Sequence, residues 1–246
     1  MELARHGHRT GRLLVAAAIG FLVFDSCGLP TPSYLAPPIS GGTSLTYTFT
    51  FTNDAVNNNT GNFYGYELYY KFYSASGTTS LASDTAAIVT STTPGTALLT
   101  SEGYIPILPN IAPGTVRTLP LIPFDATQRA QPITVTLNFN GSQTLIQATA
   151  TLSDGTPSIE LKRNGPVGYL PPTITSSGTH VLKGFLSNNY SSADSDLTGV
   201  TLNGSVTLAV VVLAYGVDLS TLSAIYSTPY FLGSVVLNYS QWAIQS

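Results

Sequence analysis

Alternating apolar and polar residues are the clearest pattern along this chain, and they predict β-strands. Segments 45–52 and 133–139 alternate at every position. Successive side chains of a strand point to opposite faces of the sheet, so this alternation predicts strands with one buried face. The tyrosine-rich segment 66–73 is read in the same way: we expect its even-numbered residues to share one face and its odd-numbered residues to share the other.

A second kind of segment, residues 205–215, is apolar at most positions and contains four consecutive aliphatic residues at 210–213. A short apolar run of this kind predicts a strand that is buried on both faces, so we place it centrally in a sheet. Residues 231–239 are the predicted closing strand. Shorter strand candidates lie at 86–90, 117–121, 144–152, 159–162, 179–186 and 200–202.

The connections carry their own signals. Asn-Gly pairs at 140–141 and 203–204 predict tight hairpin turns. Six prolines in segment 103–132 predict a connection with only brief strands, because proline cannot donate to a ladder. We predict a loop at 74–85, and a short helix that Asp218 caps and that runs to Ile225.

These elements together predict the fold class. About ten short strands separated by Gly, Pro and Asn turns are typical of an all-β protein with an antiparallel β-sandwich. We expect the sandwich to occupy residues 45–246, as one large domain or as two packed sandwich domains with a boundary near 123–132.

The amino-terminal segment predicts export. Basic residues precede an apolar run at 13–24, and Cys27, the only cysteine, follows between Ser26 and Gly28. A membrane-spanning helix needs about 20 apolar residues, so this shorter run predicts a lipoprotein signal peptide at 1–26 and a lipid on Cys27. An ordinary secretory peptide and an uncleaved signal anchor are the alternatives. The Pro/Gly/Ser-rich segment 27–44 is predicted to be a flexible tether.

The charge balance excludes one class of partner. From Cys27 onward the chain has six basic and ten acidic residues, a formal charge of −4. Binding to a phosphate backbone requires a basic surface, so we expect no nucleic-acid partner.

Catalytic and metal chemistry have few candidate residues. His180 is the only histidine beyond the predicted signal peptide, and no Gly-x-Ser-x-Gly motif is present. Glycoside hydrolysis requires only two carboxylates, but we predict that Glu67 pairs with Lys71 on one strand face. We therefore expect no enzyme, no cofactor and no zinc site, and a carboxylate-dependent hydrolase remains the catalytic alternative.

Two binding sites are conceivable. Asp194 and Asp196 lie in a Ser/Asn-rich segment and are a calcium candidate, because calcium takes oxygen ligands; the alternative is a solvated loop. Tyr64, Tyr69 and Tyr73 are candidate ligand-binding residues, because exposed tyrosines can contact sugars or proteins. The alternative is that both faces of their sheet are covered, one by the second sheet and the other by the proline-rich connection.

Several segments resemble uncharacterised lipoproteins of spirochaetes. They begin with Cys27-Gly28-Leu29-Pro30 and include residues 34–38, 63–73, 214–218 and 226–233. The resemblance implies a bacterial envelope lipoprotein and transfers no functional residue except the lipidated cysteine. Residues 66–73 also resemble a central strand of fibronectin type III-like domains, which implies an immunoglobulin-like or fibronectin-like sandwich.

The sequence thus predicts a lipid-anchored envelope protein that acts as a non-enzymatic structural or interaction module. We expect the outer membrane or cell surface rather than the inner membrane, with the membrane as one partner and a protein or carbohydrate as a further one. A carbohydrate- or ligand-binding module that uses surface tyrosines is the alternative.

Overall fold

The computed structural model describes residues 35–40, 47–58, 60–111, 117–140, 147–163, 182–186 and 190–239. The predicted signal peptide with Cys27, and His180, lie outside these residues.

Strands dominate the described part of the chain. In chain order they are β1 (Ile39–Ser40), β2 (Thr48–Thr52), β3 (Phe63–Ser74), β4 (Ile105–Pro106), β5 (Leu108–Pro109), β6 (Ile122–Pro123), β7 (Thr134–Asn138), β8 (Ala148–Leu152), β9 (Ile159–Arg163), β10 (Lys183–Gly184), β11 (Val206–Asp218), β12 (Ser223–Tyr226) and β13 (Tyr230–Leu237). The helices are α1 (Ala55–Asn58), α2 (Thr78–Val89), α3 (Ala97–Ser101) and α4 (Ala126–Arg129), and a 3-10 turn covers Ser195–Leu197.

The strands form two antiparallel sheets. The first has the order β1-β2-β7-β8-β9-β10, with β5 beside β9. The second has the order β12-β11-β3-β4, with β13 also beside β11 and β6 also beside β3. The predicted all-β, antiparallel sandwich is confirmed, and the short strands β4, β5 and β6 lie in the proline-rich connection as expected.

The main core lies between the two sheets and is rich in aromatic rings. Phe51 of the first sheet meets Tyr66 of the second edge to face, with ring centroids 5.0 Å apart. Tyr70 meets Phe185 in the same way at 5.0 Å. Such pairs contribute about 0.5–1.5 kcal/mol beyond the area they bury.

Strands β3 and β11 form the centre of the second sheet. They pair along almost their whole length, from Val206 opposite Ser74 to Gly216 opposite Phe63. From Tyr66 to Phe72 and from Val206 to Ala214 the even-numbered side chains face the first sheet, as the alternation of residues 66–73 predicts. At the start of β3 the inward residue is Phe63, because the register shifts beside Gly65. The central, two-faced burial predicted for residues 205–215 is confirmed, because β11 is buried from Val206 to Tyr215.

The outer face of the second sheet is covered by helices. Leu99 of α3 and Ile88 of α2 pack with Tyr69 and Tyr73 in a second apolar cluster. The prediction of a loop at 74–85 and a strand at 86–90 is wrong. Residues 81, 84 and 88 recur with helical spacing and supply the inward side of α2.

The hairpin predicted from segment 133–139 to segment 144–152 is confirmed, because β7 and β8 pair antiparallel from Val135 opposite Leu152 to Asn138 opposite Thr149. The predicted Asn140-Gly141 turn itself lies partly outside the described residues, which omit 141–146. Two other predicted connections are wrong. Residues 200–202 form no strand, and β11 pairs instead with β3, β12 and β13. The helix predicted after Asp218 is a β-hairpin, in which Asp218 pairs with Ser223 at the end of β11.

The sandwich includes residues that precede its predicted first residue, 45. Leu35 is fully buried in the main core, and β1 pairs with β2 through Ile39 and Thr52. The Asn57 side chain holds the backbone of Ala36 by two hydrogen bonds, of 2.8 and 2.9 Å. Residues 35–40 therefore belong to the sandwich and not to the flexible tether predicted at 27–44.

Candidate functional site

Arg163 has the largest fully buried side chain among the described residues. Its Nη1 donates to both carboxylate oxygens of Asp196 at 3.0 and 3.1 Å, and its Nη2 donates to Oδ2 of Asp194 at 2.9 Å. Strand β9 turns Leu161 and Arg163 inward because they lie two positions apart. Asp194 directly precedes the 3-10 turn that contains Asp196, so the turn brings both carboxylates to one guanidinium group.

Two further side chains complete this group, which we call the Arg163 cluster: Arg163, Lys183, Asp194, Asp196 and Tyr70. Lys183 Nζ donates to Oδ1 of Asp194 at 2.6 Å, and the Tyr70 hydroxyl donates to Oδ2 of Asp196 at 2.8 Å. Burial raises the pKa of Asp196, and the positive charge of Arg163 opposes that rise. Two cations face two carboxylates, so the formal charge of the cluster is balanced.

An aromatic pair closes one side of the Arg163 cluster. The guanidinium carbon of Arg163 lies 4.3 Å from the ring centroid of Tyr190, which is a cation–π contact. Tyr190 in turn stacks on Tyr239 with centroids 4.7 Å apart, and its hydroxyl donates to the carbonyl of Phe185 at 2.6 Å. The cluster is therefore continuous with the core on its aromatic side.

The calcium candidate falls inside the Arg163 cluster. Asp194 is buried, and Arg163, Lys183 and Tyr70 donate to the oxygens that a calcium ion would need from Asp194 and Asp196. The solvated-loop alternative is wrong for Asp194. Across the residues that the structure describes, no group of three or more His, Cys, Asp or Glu side chains could hold a metal ion.

A second buried ion pair joins Glu67 to Arg117. Arg117 Nη2 donates to Oε2 of Glu67, and the Leu121 amide donates to its Oε1 at 2.6 Å. Both charged side chains are only 1% exposed. Burial raises the pKa of Glu67, and the charge of Arg117 opposes the rise. The pair fixes the proline-rich connection, which carries Arg117 and Leu121, to the outer face of β3.

The predicted pair of Glu67 with Lys71 is wrong. Lys71 Nζ instead donates to Oδ2 of Asp84 at 2.6 Å and to the carbonyl of Glu102 at 2.6 Å. The Tyr73 hydroxyl also donates to Oδ2 of Asp84, at 2.6 Å. Helix α2 supplies Asp84, so the pairing of Lys71 depends on an element that the sequence pattern did not predict.

The three candidate tyrosines do not form one exposed surface. Tyr69 and Tyr73 are 8% and 5% exposed and lie beneath α2 and α3. Tyr64 is half-buried, and the guanidinium carbon of Arg129 lies 5.3 Å from its ring centroid. The expectation that the second face of this sheet is covered is correct, although helices, and not the proline-rich connection alone, provide the cover.

The buried arginines are the residues that sequence reasoning missed. One signal was present: Arg163 continues the inward positions of β9 after Leu161. The predicted strand, 159–162, stops one position before Arg163 and so does not include it. Arg117 has no comparable signal, because residues 117–120 are irregular and its partner Glu67 is far away in the chain.

Comparison with known proteins adds no relative. No protein-family model, no curated protein and no solved structure matches this chain. Among the helices of the described residues, none has the length and apolar character needed to cross a membrane.

Proposed function

We propose that this protein is a lipid-anchored envelope protein of a bacterium whose sandwich serves as a structural or interaction module and not as an enzyme. The observation that carries the anchor is the order of basic residues, short apolar run and single Cys27 in the sequence. The resemblance to spirochaete lipoproteins agrees with this placement.

The use of the buried charges supports a structural role for the sandwich. Glu67 and Asp194 are bound by Arg117 and Arg163, and their hydrogen bonds link strands to the connections between them. A catalytic carboxylate must reach a substrate, whereas these carboxylates are occupied by fixed internal donors.

The burial of the candidate tyrosines also supports a structural module over a carbohydrate-binding module. A sugar platform requires exposed rings on one face, and the burial of Tyr69 and Tyr73 leaves Tyr64 alone among the candidates. We therefore favour an anchored scaffold over a carbohydrate-binding module.

The anchor is tested by lipid labelling of the full chain expressed in a bacterial host. We expect the wild-type protein to incorporate labelled palmitate and to partition into the detergent phase, and Cys27→Ser to do neither. Ser26→Ala is the matched control, because alanine keeps a small residue before the cysteine and should retain the label.

Two results would contradict the proposal. One is palmitate incorporation that persists in Cys27→Ser. The other is a wild-type protein that is released to the aqueous phase with a free Cys27 thiol, detected by its reaction with a maleimide.

A further inference from the structure

We propose that the apolar end of the sandwich contacts the lipid bilayer directly, as a second membrane contact beside the lipid on Cys27. We define the apolar end as Ile39, Val56, Leu219 and Leu222. This inference rests on the proposed lipid anchor and names the surface of the protein that faces the membrane.

The exposed apolar side chains of the described residues are concentrated at this end. Four of the six large apolar side chains that are exposed belong to it: Ile39, Val56, Leu219 and Leu222. Leu222 is the most exposed of the six, at 78%. Scattered single exposed apolar residues are ordinary, but a group at one end marks an interaction surface.

Backbone contacts place these residues around the point where the chain joins the sandwich. Ile39 pairs with Thr52, and α1 with Val56 follows just after that strand. The hydrogen bonds from Asn57 to Ala36 bring α1 against the same amino-terminal segment.

The β11–β12 hairpin projects from the same place. The last pairing of β11 with β3 is Gly216 opposite Phe63, so Val217 and the residues after it extend beyond the start of β3. A Cβ atom on Gly216 would lie 3.1 Å from Cδ1 of Leu35. Leu219 is three residues further on, about 10 Å along an extended strand.

Leu222 lies in the turn between β11 and β12 and has a backbone conformation that is unfavourable for leucine. Its φ is 55°, in the left-handed region that glycine and asparagine adopt most readily. Most of the leucine side chain is exposed, so its apolar surface is accessible to an external contact.

The short distance in sequence between Cys27 and the sandwich favours the lipid bilayer as the partner of the apolar end. Cys27 precedes Leu35 by eight residues, which reach at most about 28 Å when fully extended. The thirteen residues of β11 span about 40 Å, so a lipid on Cys27 holds the Leu35 end, and not the far end of β11, near the membrane.

The charges at this end define the kind of lipid contact. The charged residues nearest in the chain to Val56, Leu219 and Leu222 are Asp54 and Asp218, both acidic. Arg129 also lies at this end, because its Nη1 donates at 2.8 Å to the carbonyl of Phe63, which is opposite Gly216, but the acidic residues outnumber it. Attraction to anionic headgroups is therefore not the driving force, and we expect a contact through apolar side chains that neutral phosphatidylcholine supports and that salt does not weaken.

The test places a fluorophore on the hairpin of the full lipidated chain. Leu222→Cys is labelled with an environment-sensitive dye and reconstituted in phosphatidylcholine vesicles that contain nitroxide-labelled lipid. Asn203→Cys is the matched control, because residue 203 is also exposed but precedes the opposite end of β11. We expect a blue-shifted emission and at least threefold stronger quenching for the dye at 222 than for the dye at 203, in low and high salt alike.

A second variant separates the contact from the fold. Leu219→Ser labelled at position 222 should lose most of the quenching while its unfolding transition stays unchanged, because residue 219 is exposed.

Three results would overturn the inference. Equal, water-like emission at 222 and 203 in a vesicle-bound protein would overturn it and leave the anchor intact. A blue shift at 222 without nitroxide quenching would mean that a second copy of the chain covers the hairpin. A chain that carries no lipid and stays off the vesicles would overturn both this inference and the proposed function.

Discussion

Replacing Arg163 by methionine should strongly destabilise the sandwich. The substitution removes the cation from two carboxylates while Asp194 and Asp196 remain in place. Asp194 keeps Lys183, but Asp196 keeps only the Tyr70 hydroxyl among the donors of the Arg163 cluster. Loss of one partner of a buried ion pair costs about 3–5 kcal/mol, because the other charge stays buried without compensation.

This cost is large relative to the total stability of a domain, about 5–15 kcal/mol. For a domain of this size it corresponds to a fall in Tm on the order of 10 °C. Urea-induced unfolding of Arg163→Met should show a lower midpoint with an unchanged m-value. The difference from wild type should shrink as the pH becomes more acidic, because burial raises the pKa of Asp196 and its protonation removes the uncompensated charge.

Two companion variants make the test specific. Arg163→Met combined with Asp196→Asn should lose less stability than Arg163→Met alone, since it no longer buries that carboxylate. Lys162→Met, which breaks the pair with Glu160 on the opposite face of β9, should cost less than Arg163→Met, because the side chains of that pair are 16% and 18% exposed whereas Arg163, Asp194 and Asp196 are fully buried. The reasoning is refuted if Arg163→Met stays within about 1 kcal/mol of wild type, or if the double variant is the less stable of the two.

Two further predictions concern backbone space and tyrosine ionisation. Gly65→Ala should destabilise the protein severely, because φ is 143° and the new Cβ would lie 2.0 Å from the carbonyl oxygen of Ile122. Gly61→Ala is the control and should cost far less, because its φ is also positive but no atom lies within 4 Å of the new Cβ. Equal unfolding midpoints for the two variants would contradict this prediction. Burial raises the pKa of Tyr104 and of Tyr226 to about 12, whereas a tyrosine in the unfolded chain has a pKa of about 10. The free energy of unfolding should therefore fall as the pH rises from about 10 to about 12. Absorbance at 295 nm that shows full tyrosine ionisation near pH 10 in the folded protein would contradict this prediction.

The parts of the fold that could be predicted are those in which side-chain period and burial agree. Strands β2, β3 and β7 alternate in sequence, and each presents one row of side chains to the sandwich core. The apolar character of β11 on both faces predicts a central position in its sheet, and both of its faces are covered. In these strands the sequence pattern alone indicates which face the tertiary structure buries.

The parts that could not be predicted depend on partners that are distant in the chain. The strand predicted at 200–202 failed because β11 takes β3 as its partner, which local turn residues do not encode. Helix α2 is stabilised by packing on Tyr73 and by the bond from Lys71 to Asp84. The Arg163 cluster joins β9, β10 and the 3-10 turn, and no single segment indicates that these meet.

The ladder between β3 and β11 also determines when this protein can fold. Tyr66 lies opposite Ala214, so the two halves of the central ladder come from opposite ends of the body. Closing so long a loop costs conformational entropy before the contacts that offset this cost can form. Folding dominated by such long-range pairings takes milliseconds to seconds. During synthesis, β3 therefore stays unpaired with β11 until the ribosome has released Val206–Asp218, and the second sheet assembles only after that point.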